Sequence, residues 1–264
     1  MRRVVFNQKG GVGKSSITCN LAAISASQGY KTLVIDLDTQ GNTTHYLLGK
    51  PADECENNIA QFFEQMLSFK VFNKKPEDFV TPTQFENLDI IASNPDLEHL
   101  ERKLEAKHKI YKLRDALKAL EKKYDRIYVD TAPALNFYTQ SALIGCNRCL
   151  IPFDCDDFSR KALYNLQYEI QEIRDDHNDE LMVEGIIVNQ FQPRASLPQQ
   201  LIKELIEEDL PVLPVYINSS VKMKESHQKN SPLIHLDPKH KMTQQFVELT
   251  EVLEGKKVEH PEFA

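Results

Sequence analysis

Residues 9 to 16 read Lys9-Gly10-Gly11-Val12-Gly13-Lys14-Ser15-Ser16, three glycines, two lysines and two hydroxyls in a single short run. That set of residue types suits a loop that wraps phosphate. Without Cβ atoms, Gly10, Gly11 and Gly13 let successive backbone N–H groups come close to phosphate oxygens, with Val12 and Ser16 completing the cradle. Lys14 supplies charge to the outer phosphates and the Ser15 hydroxyl can bind Mg²⁺. The common spacing G-x-x-x-x-G-K-[ST] fails, because Gln8 stands where its first glycine belongs. The extra lysine, Lys9, instead suggests a nucleotide site completed by two subunits.

Three carboxylates accompany the loop. Asp36 and Asp38 close the apolar run Thr32-Leu33-Val34-Ile35 at spacing i, i+2, which places both on one side of a strand's pleat. Asp130 follows Ile127-Tyr128-Val129. An acid at the end of an apolar strand is what Mg²⁺ needs opposite Ser15, usually through water. Singly each is weak evidence, since strands often end in Asp for turn chemistry. Together with the loop they form a constellation.

The elements that must carry these groups are legible around them. Val4-Val5-Phe6 is a buried strand, and Ile17, Leu21 and Ile24 recur at helical spacing, so the loop opens a helix whose N-terminus favours anions. Further strands are predicted near residues 31–36, 88–92, 126–130, 149–153, 183–189 and 212–216, with helical periods between them. The expected fold is α/β, a doubly wound, mostly parallel central sheet of about seven or eight strands with helices on both faces. The 264 residues, 41% hydrophobic, suffice for a large core. No linker divides the motifs, so residues 1–264 are expected to form a single domain with a short tail at about 255–264.

Composition narrows the function classes. A net charge of −7 argues against a uniformly basic nucleic-acid-coating surface, and five cysteines fit a reducing cytosol better than a disulfide framework. Cys146, Cys149 and Cys155 are close in sequence, yet small buried cysteines are common and no fourth ligand is nearby. No stretch approaches the roughly 20 apolar residues that span a bilayer, and the N-terminus does not resemble a signal peptide. The expectation is a cytoplasmic protein with no membrane attachment. A guanine site normally carries N-K-x-D after a strand; Asn73-Lys74-Lys75-Pro76 lacks the acid and lies in a polar insert. Adenine is preferred.

At this point the chain resembles a known family, the ParA/MinD group of deviant-loop P-loop ATPases, and more closely its small ParA-like members. The matching pieces are K-G-G-V-G-K-S at Lys9 to Ser15, D-L-D-T-Q-G-N at Asp36 to Asn42, V-D-T-A-P at Val129 to Pro133 and I-P-F-D at Ile151 to Asp154, with a weaker match from Tyr216 through Glu225-Ser226. The resemblance implies a weak, partner-stimulated ATPase that uses ATP and Mg²⁺ and forms an ATP-sandwich homodimer. It implies that Lys9 reaches the phosphates held by the opposite subunit, that Lys14 acts in cis, and that Asp38 orients or activates the attacking water. Ser15 would be the Mg²⁺ ligand, with Asp36 and Asp130 as metal acids behind it. Asn189, Val215 and Asn218 would flank adenine, although Asn218-Ser219 replaces the usual Pro-Arg of the family.

The same resemblance implies segregation of chromosomal or plasmid DNA, or positioning of another cargo, with a ParB-like or other activator protein. In such relatives basic residues of the C-terminal part bind DNA without reading sequence, and Lys222, Lys224, Lys229, Lys239 and Lys241 are the candidates here, with Arg160, Lys161 and Arg194 as additions. Association with the nucleoid would follow. A solvated surface is the alternative for that cluster, as it is for the basic face of a long helix predicted from Leu97, Leu100, Leu104, Tyr111, Leu117 and Leu120. Two further functions stay open: positioning of a protein cluster without DNA, and cofactor assembly of the iron–sulfur or amidoligase type.

Overall fold

Val4 and Val5 leave the first strand on opposite sides and both are fully buried, so the sheet they join must carry a core on each face. The computed structural model describes residues 1–68, 73–155 and 159–261. Among these it places β1 (Arg2–Val5), β2 (Thr32–Asp36), β3 (Thr81–Pro82), β4 (Leu88–Ile91), β5 (Arg126–Asp130), β6 (Arg148–Asp154) and β7 (Met182–Asn189) in one sheet, in the order β3-β4-β2-β5-β1-β6-β7. Every pairing is parallel except that of the short edge strand β3 with β4. The expected doubly wound sheet is present.

Its helices are α1 (Lys14–Ser27), α2 (Asn42–Leu48), α3 (Ile59–Gln65), α4 (Leu97–Ala106), α5 (Lys112–Leu120), α6 (Phe137–Gly145), α7 (Ser159–His177), α8 (Ser196–Glu207), α9 (Val221–Gln228), α10 (Leu233–Leu236) and α11 (Lys241–Leu253). Val4, Ile35, Val129 and Ile151 pack on one side with Phe63, Leu104, Leu117, Leu143, Leu166 and Leu205, which come from α3 to α8. Val5, Val34, Tyr128 and Leu150 pack on the other with Leu21, Leu47, Leu233 and Phe246 from α1, α2, α10 and α11. Each such side chain contributes about 1.5–3 kcal/mol on burial, so the two layers fix the strand register firmly. Helix α1 lies between the sheet and α11, which explains why it is buried on nearly every side, its Thr18, Asn20 and Ser25 included.

Two sequence expectations are corrected. Residues 212–216 do not form a strand: Val212 makes an isolated bridge to Ile186, and the segment follows β7 through scattered bonds such as Ile217 N–H to the Val188 carbonyl at 2.9 Å. Pro211 and Pro214 have no N–H to donate, so no regular ladder can form. The helix predicted through 97–120 is two, because the chain turns at His108, which adopts a left-handed φ of 52°. Lys109 N–H then returns to the Leu104 carbonyl at 3.0 Å and closes α4.

Register places the acids. β2, β5 and β1 are neighbours, with Asp36 level with Asp130 and Asp130 level with Val5. All three strands end where the glycine loop begins, at the carboxyl edge where open parallel sheets hold ligands.

Candidate functional site

The loop leaves β1 and enters α1 through Gly11 and Gly13, at φ values of 78° and 88°. Both are in the left-handed region that side chains oppose. Space matters as well at Gly13, where an added Cβ would stand 2.4 Å from Asn189 Nδ2. That amide donates to the Val12 carbonyl at 2.9 Å, and Gln190 Nε2 donates to the Gly11 carbonyl at 2.8 Å. A trans peptide points its C=O and N–H in opposite directions. Holding these two carbonyls toward the end of β7 therefore turns the N–H groups of Val12 and Gly13 away from it, the orientation an anion requires. No side chain caps the start of α1, which leaves its first-turn donors for a ligand.

The two lysines part company. Lys14 is buried, and its Nζ donates to the Lys9 carbonyl at 3.0 Å. Burial lowers its pKa, while the carboxylates of Asp130 and Asp38 pull the other way. Lys9 sits at the rim, its Nζ 2.7 Å from Asp154 Oδ2 at the end of β6. Asn7 steadies the base of this rim, accepting from Lys9 N–H at 2.9 Å and donating to the Pro152 carbonyl at 2.7 Å.

The carboxylates divide into two kinds. Asp36 is consumed by the chain: Oδ1 accepts from Asp38 N–H at 3.1 Å, and Oδ2 from the N–H and hydroxyl of Thr44 at 2.8 and 2.7 Å. It anchors the start of α2. Asp130 accepts from the Thr43 hydroxyl at 2.7 Å through Oδ2, while its buried Oδ1 closes no hydrogen bond of good geometry. Burial pushes both carboxyls above the ordinary carboxylate range; Asp130 raises Asp36 further, and the hydroxyls of Ser15 and Thr43 hold Asp130 back. Asp38 is buried, with Oδ1 accepting from Gln40 N–H at 3.0 Å and its carbonyl accepting from Ser93 Oγ at 2.5 Å.

Mg²⁺ fits this donor set. A buried carboxylate oxygen without a partner beside the Ser15 hydroxyl is an uncompensated cost that a hard cation removes. Among the described residues no group of three or more His, Cys, Asp or Glu could hold a metal by itself, so phosphate and water would have to complete the shell, as Mg²⁺ commonly requires.

Thr43, Thr44, Ser93 and Gln190 join the site from outside the sequence motifs. Thr43-Thr44 directly after D-T-Q-G-N carries a signal, two hydroxyls one turn beyond an acid; Ser93 and Gln190 carry none. Of the residues expected near a base, Asn189 braces the loop, and Val215 is buried in the layer that holds α1. Asn218 lines an open groove of about 620 Å³ with Phe191, Pro193, Arg194, Ser219 and Lys241. Val12 is buried, and Ser16 contacts His227.

Among the C-terminal lysines, Lys222 is paired with Glu225 at 2.9 Å and Asp237 at 3.5 Å, whereas Lys224, Lys229, Lys239 and Lys241 are exposed. Arg160 does not extend that cluster: Glu204, at 2.6 Å, and Glu208 neutralise it. Cys146 and Cys149 are fully buried, and burial pushes the Cys146 thiol up to about 12. Among the described residues no helix is long and apolar enough to cross a membrane.

Known proteins share both sequence and fold with this chain. The family model described as AAA domain matches residues 3–183. The chromosome partitioning protein ParA of Myxococcus xanthus is 32% identical over 248 residues, covering 93% of this chain and 84% of that protein. An ATP complex of a McdA variant from Cyanothece superposes with a TM-score of 0.81 at 21% identity, covering 98% of this chain and 99% of that one. Cobyrinic acid a,c-diamide synthase from Mycobacterium smegmatis, with bound ADP and magnesium, gives a TM-score of 0.81 at 22% identity over 96% of this chain and 94% of that one. The two structural likenesses establish the fold.

Proposed function

The chain belongs to the AAA-domain family of P-loop ATPases that contains the ParA-type partition and positioning proteins, and on that premise we propose that it binds ATP with Mg²⁺, pairs with a second copy around it, and hydrolyses it to move or place a cargo. The observation that carries this reading is the separation of the two lysines. Lys14 is folded into its own loop, while Lys9 reaches outward from the same loop to Asp154, more than halfway buried yet at the rim.

Lys14 and the uncapped first turn of α1 would bind the phosphate tail in cis. Ser15 and Asp130 would hold Mg²⁺, which when bound supplies a Lewis acid that draws charge from the phosphates. Asp38 stands at the mouth of the loop, close enough to Lys14 to influence its charge, and would orient water. Its carbonyl and carboxylate are both engaged by neighbouring chain, which limits its freedom and favours positioning over proton removal. Lys9 would leave Asp154 for the tail bound by the partner, neutralising charge as an arginine finger does. Association and cleavage thereby become one switch.

Single substitutions test the two halves of the reading. Lys9→Ala should bind nucleotide as a monomer and fail to dimerise with ATP by light scattering, and an undiminished dimer would refute the trans role. Asp38→Ala should dimerise with ATP and turn over slowly; normal turnover would remove its assigned part. The cargo reading, DNA or another body, rests on the relatives' names.

A further inference from the structure

Three elements meet at the side chain of His227 in α9. Its Nε2 shares a hydrogen bond of 2.8 Å with Ser16 Oγ, in the first turn of α1. Its ring stacks on Tyr46 of α2, with centroids 4.3 Å apart and planes 25° from parallel. The preceding residue, Ser226, is fully buried and bonded to the Tyr46 hydroxyl. Asn20 of α1 closes the junction, donating to the Ser16 carbonyl at 2.8 Å and to the Tyr46 hydroxyl at 3.3 Å, while its own oxygen accepts from Leu233 N–H at 2.8 Å.

Each partner of the ring leads directly to the site. Ser16 follows Ser15, in the uncapped first turn of α1 that would face the phosphate tail. Tyr46 belongs to the helix whose first residues, Thr43 and Thr44, are bonded to Asp130 and Asp36. On the other side, α9 carries Lys222 and the exposed Lys224.

We propose that His227 is a positioning residue: it fixes the first turn of α1 against α2, and through it the occupancy of the phosphate loop is transmitted to α9. The inference rests on the nucleotide reading above. Few side chains could do this. A flat ring is needed to cover Tyr46, and a polar atom at its far end is needed to reach Ser16. A neutral imidazole offers one donor and one acceptor, so it can meet the Ser16 hydroxyl in either sense. Burial, aided by nearby His45, favours that neutral form. Because packed interfaces shift between discrete arrangements instead of stretching, a displacement of α1 or α2 by nucleotide must move the ring or break its contacts.

The experiment compares the full-length wild type with His227→Gln and His227→Leu, using ATP, ADP and no nucleotide with Mg²⁺. Glutamine keeps a polar atom near the reach of Nε2, and leucine fills space without one. Amide hydrogen exchange of residues 221–229 should slow on ATP binding in the wild type, less in His227→Gln, which keeps the polar atom and loses the stack, and not at all in His227→Leu. That last variant should lose about tenfold in kcat with KM changed far less, the scale of one lost hydrogen bond that positions the first turn of α1. Should His227→Leu fail to fold, Tyr46→Phe, which keeps the stack and deletes the hydroxyl's bonds to Ser226 and Asn20, should weaken the same response. An α9 response equal in wild type and both variants, all folded and binding ATP, would overturn the proposal alone. A wild type that binds no nucleotide would remove the reading beneath it as well.

Discussion

Asp130 holds a carboxylate where the fold alone gives it too few partners. One oxygen is bonded to Thr43 and the other, beside the Ser15 hydroxyl, closes no hydrogen bond of good geometry, within a fully buried side chain level with Asp36 on the next strand. Its pKa and that of Asp36 are raised above the ordinary 3.8, so the folded chain holds protons that the unfolded chain releases. The stabilisation is complete below the unfolded value and is lost as pH rises from about 4 through the raised folded values. Without metal and nucleotide, the protein should therefore melt at lower temperature at pH 8 than at pH 5.5. Asp130→Asn should melt higher than wild type at pH 8, by on the order of 1–3 kcal/mol, with the gap closing toward pH 5. Thermal melts at the two pH values check this, and addition of Mg²⁺ with ATP should reverse the order by stabilising the wild type more than the variant. The sequence marked Asp36 and Asp130 alike. Only contacts distinguished them, since the difference lies in Thr44 and Thr43, one helix away.

At the scale of elements, β7 supports the phosphate loop as much as β1 delivers it. Asn189 and Gln190 take two loop carbonyls, and Asn189 fills the space a side chain at position 13 would need. Gly13→Ala should cost about 1–2 kcal/mol from the left-handed φ alone, and more from the collision with the amide. Asn189→Ala should relieve the collision but not the φ, so the double variant should be less destabilised than the sum of the singles, as chemical denaturation would reveal. Neither relation was legible, because residues 13 and 189 are far apart in the chain and each looks ordinary in its own strand and turn. The break between α4 and α5 was hidden for a different reason. No glycine or proline marks it; His108 takes the left-handed conformation itself, and the apolar spacing on both sides continues in phase closely enough to pass for one helix.

For the whole molecule the question is which surface meets a partner. Charge is net acidic at −7, so any contact with nucleic acid must be local. If the ATP-bound form holds nonspecific duplex DNA, Lys224→Ala and Lys229→Ala should each flatten the slope of log affinity against log salt by about 0.9. Lys222→Ala should flatten it less, because Glu225 and Asp237 already neutralise that cation. Binding titrations across a salt series measure all three, and equal slopes in every variant would move the contact elsewhere. The sequence by itself determined the class of fold and marked the candidate groups: the glycine and lysine spacing, the acids closing apolar strands, and the alternation of periods are local patterns, set by covalent geometry and burial. Tertiary structure alone decided how the groups share their contacts. Which lysine folds inward, which acid keeps an open oxygen and which histidine joins three helices depend on side chains brought together from distant strands, where distance in space owes nothing to distance along the chain.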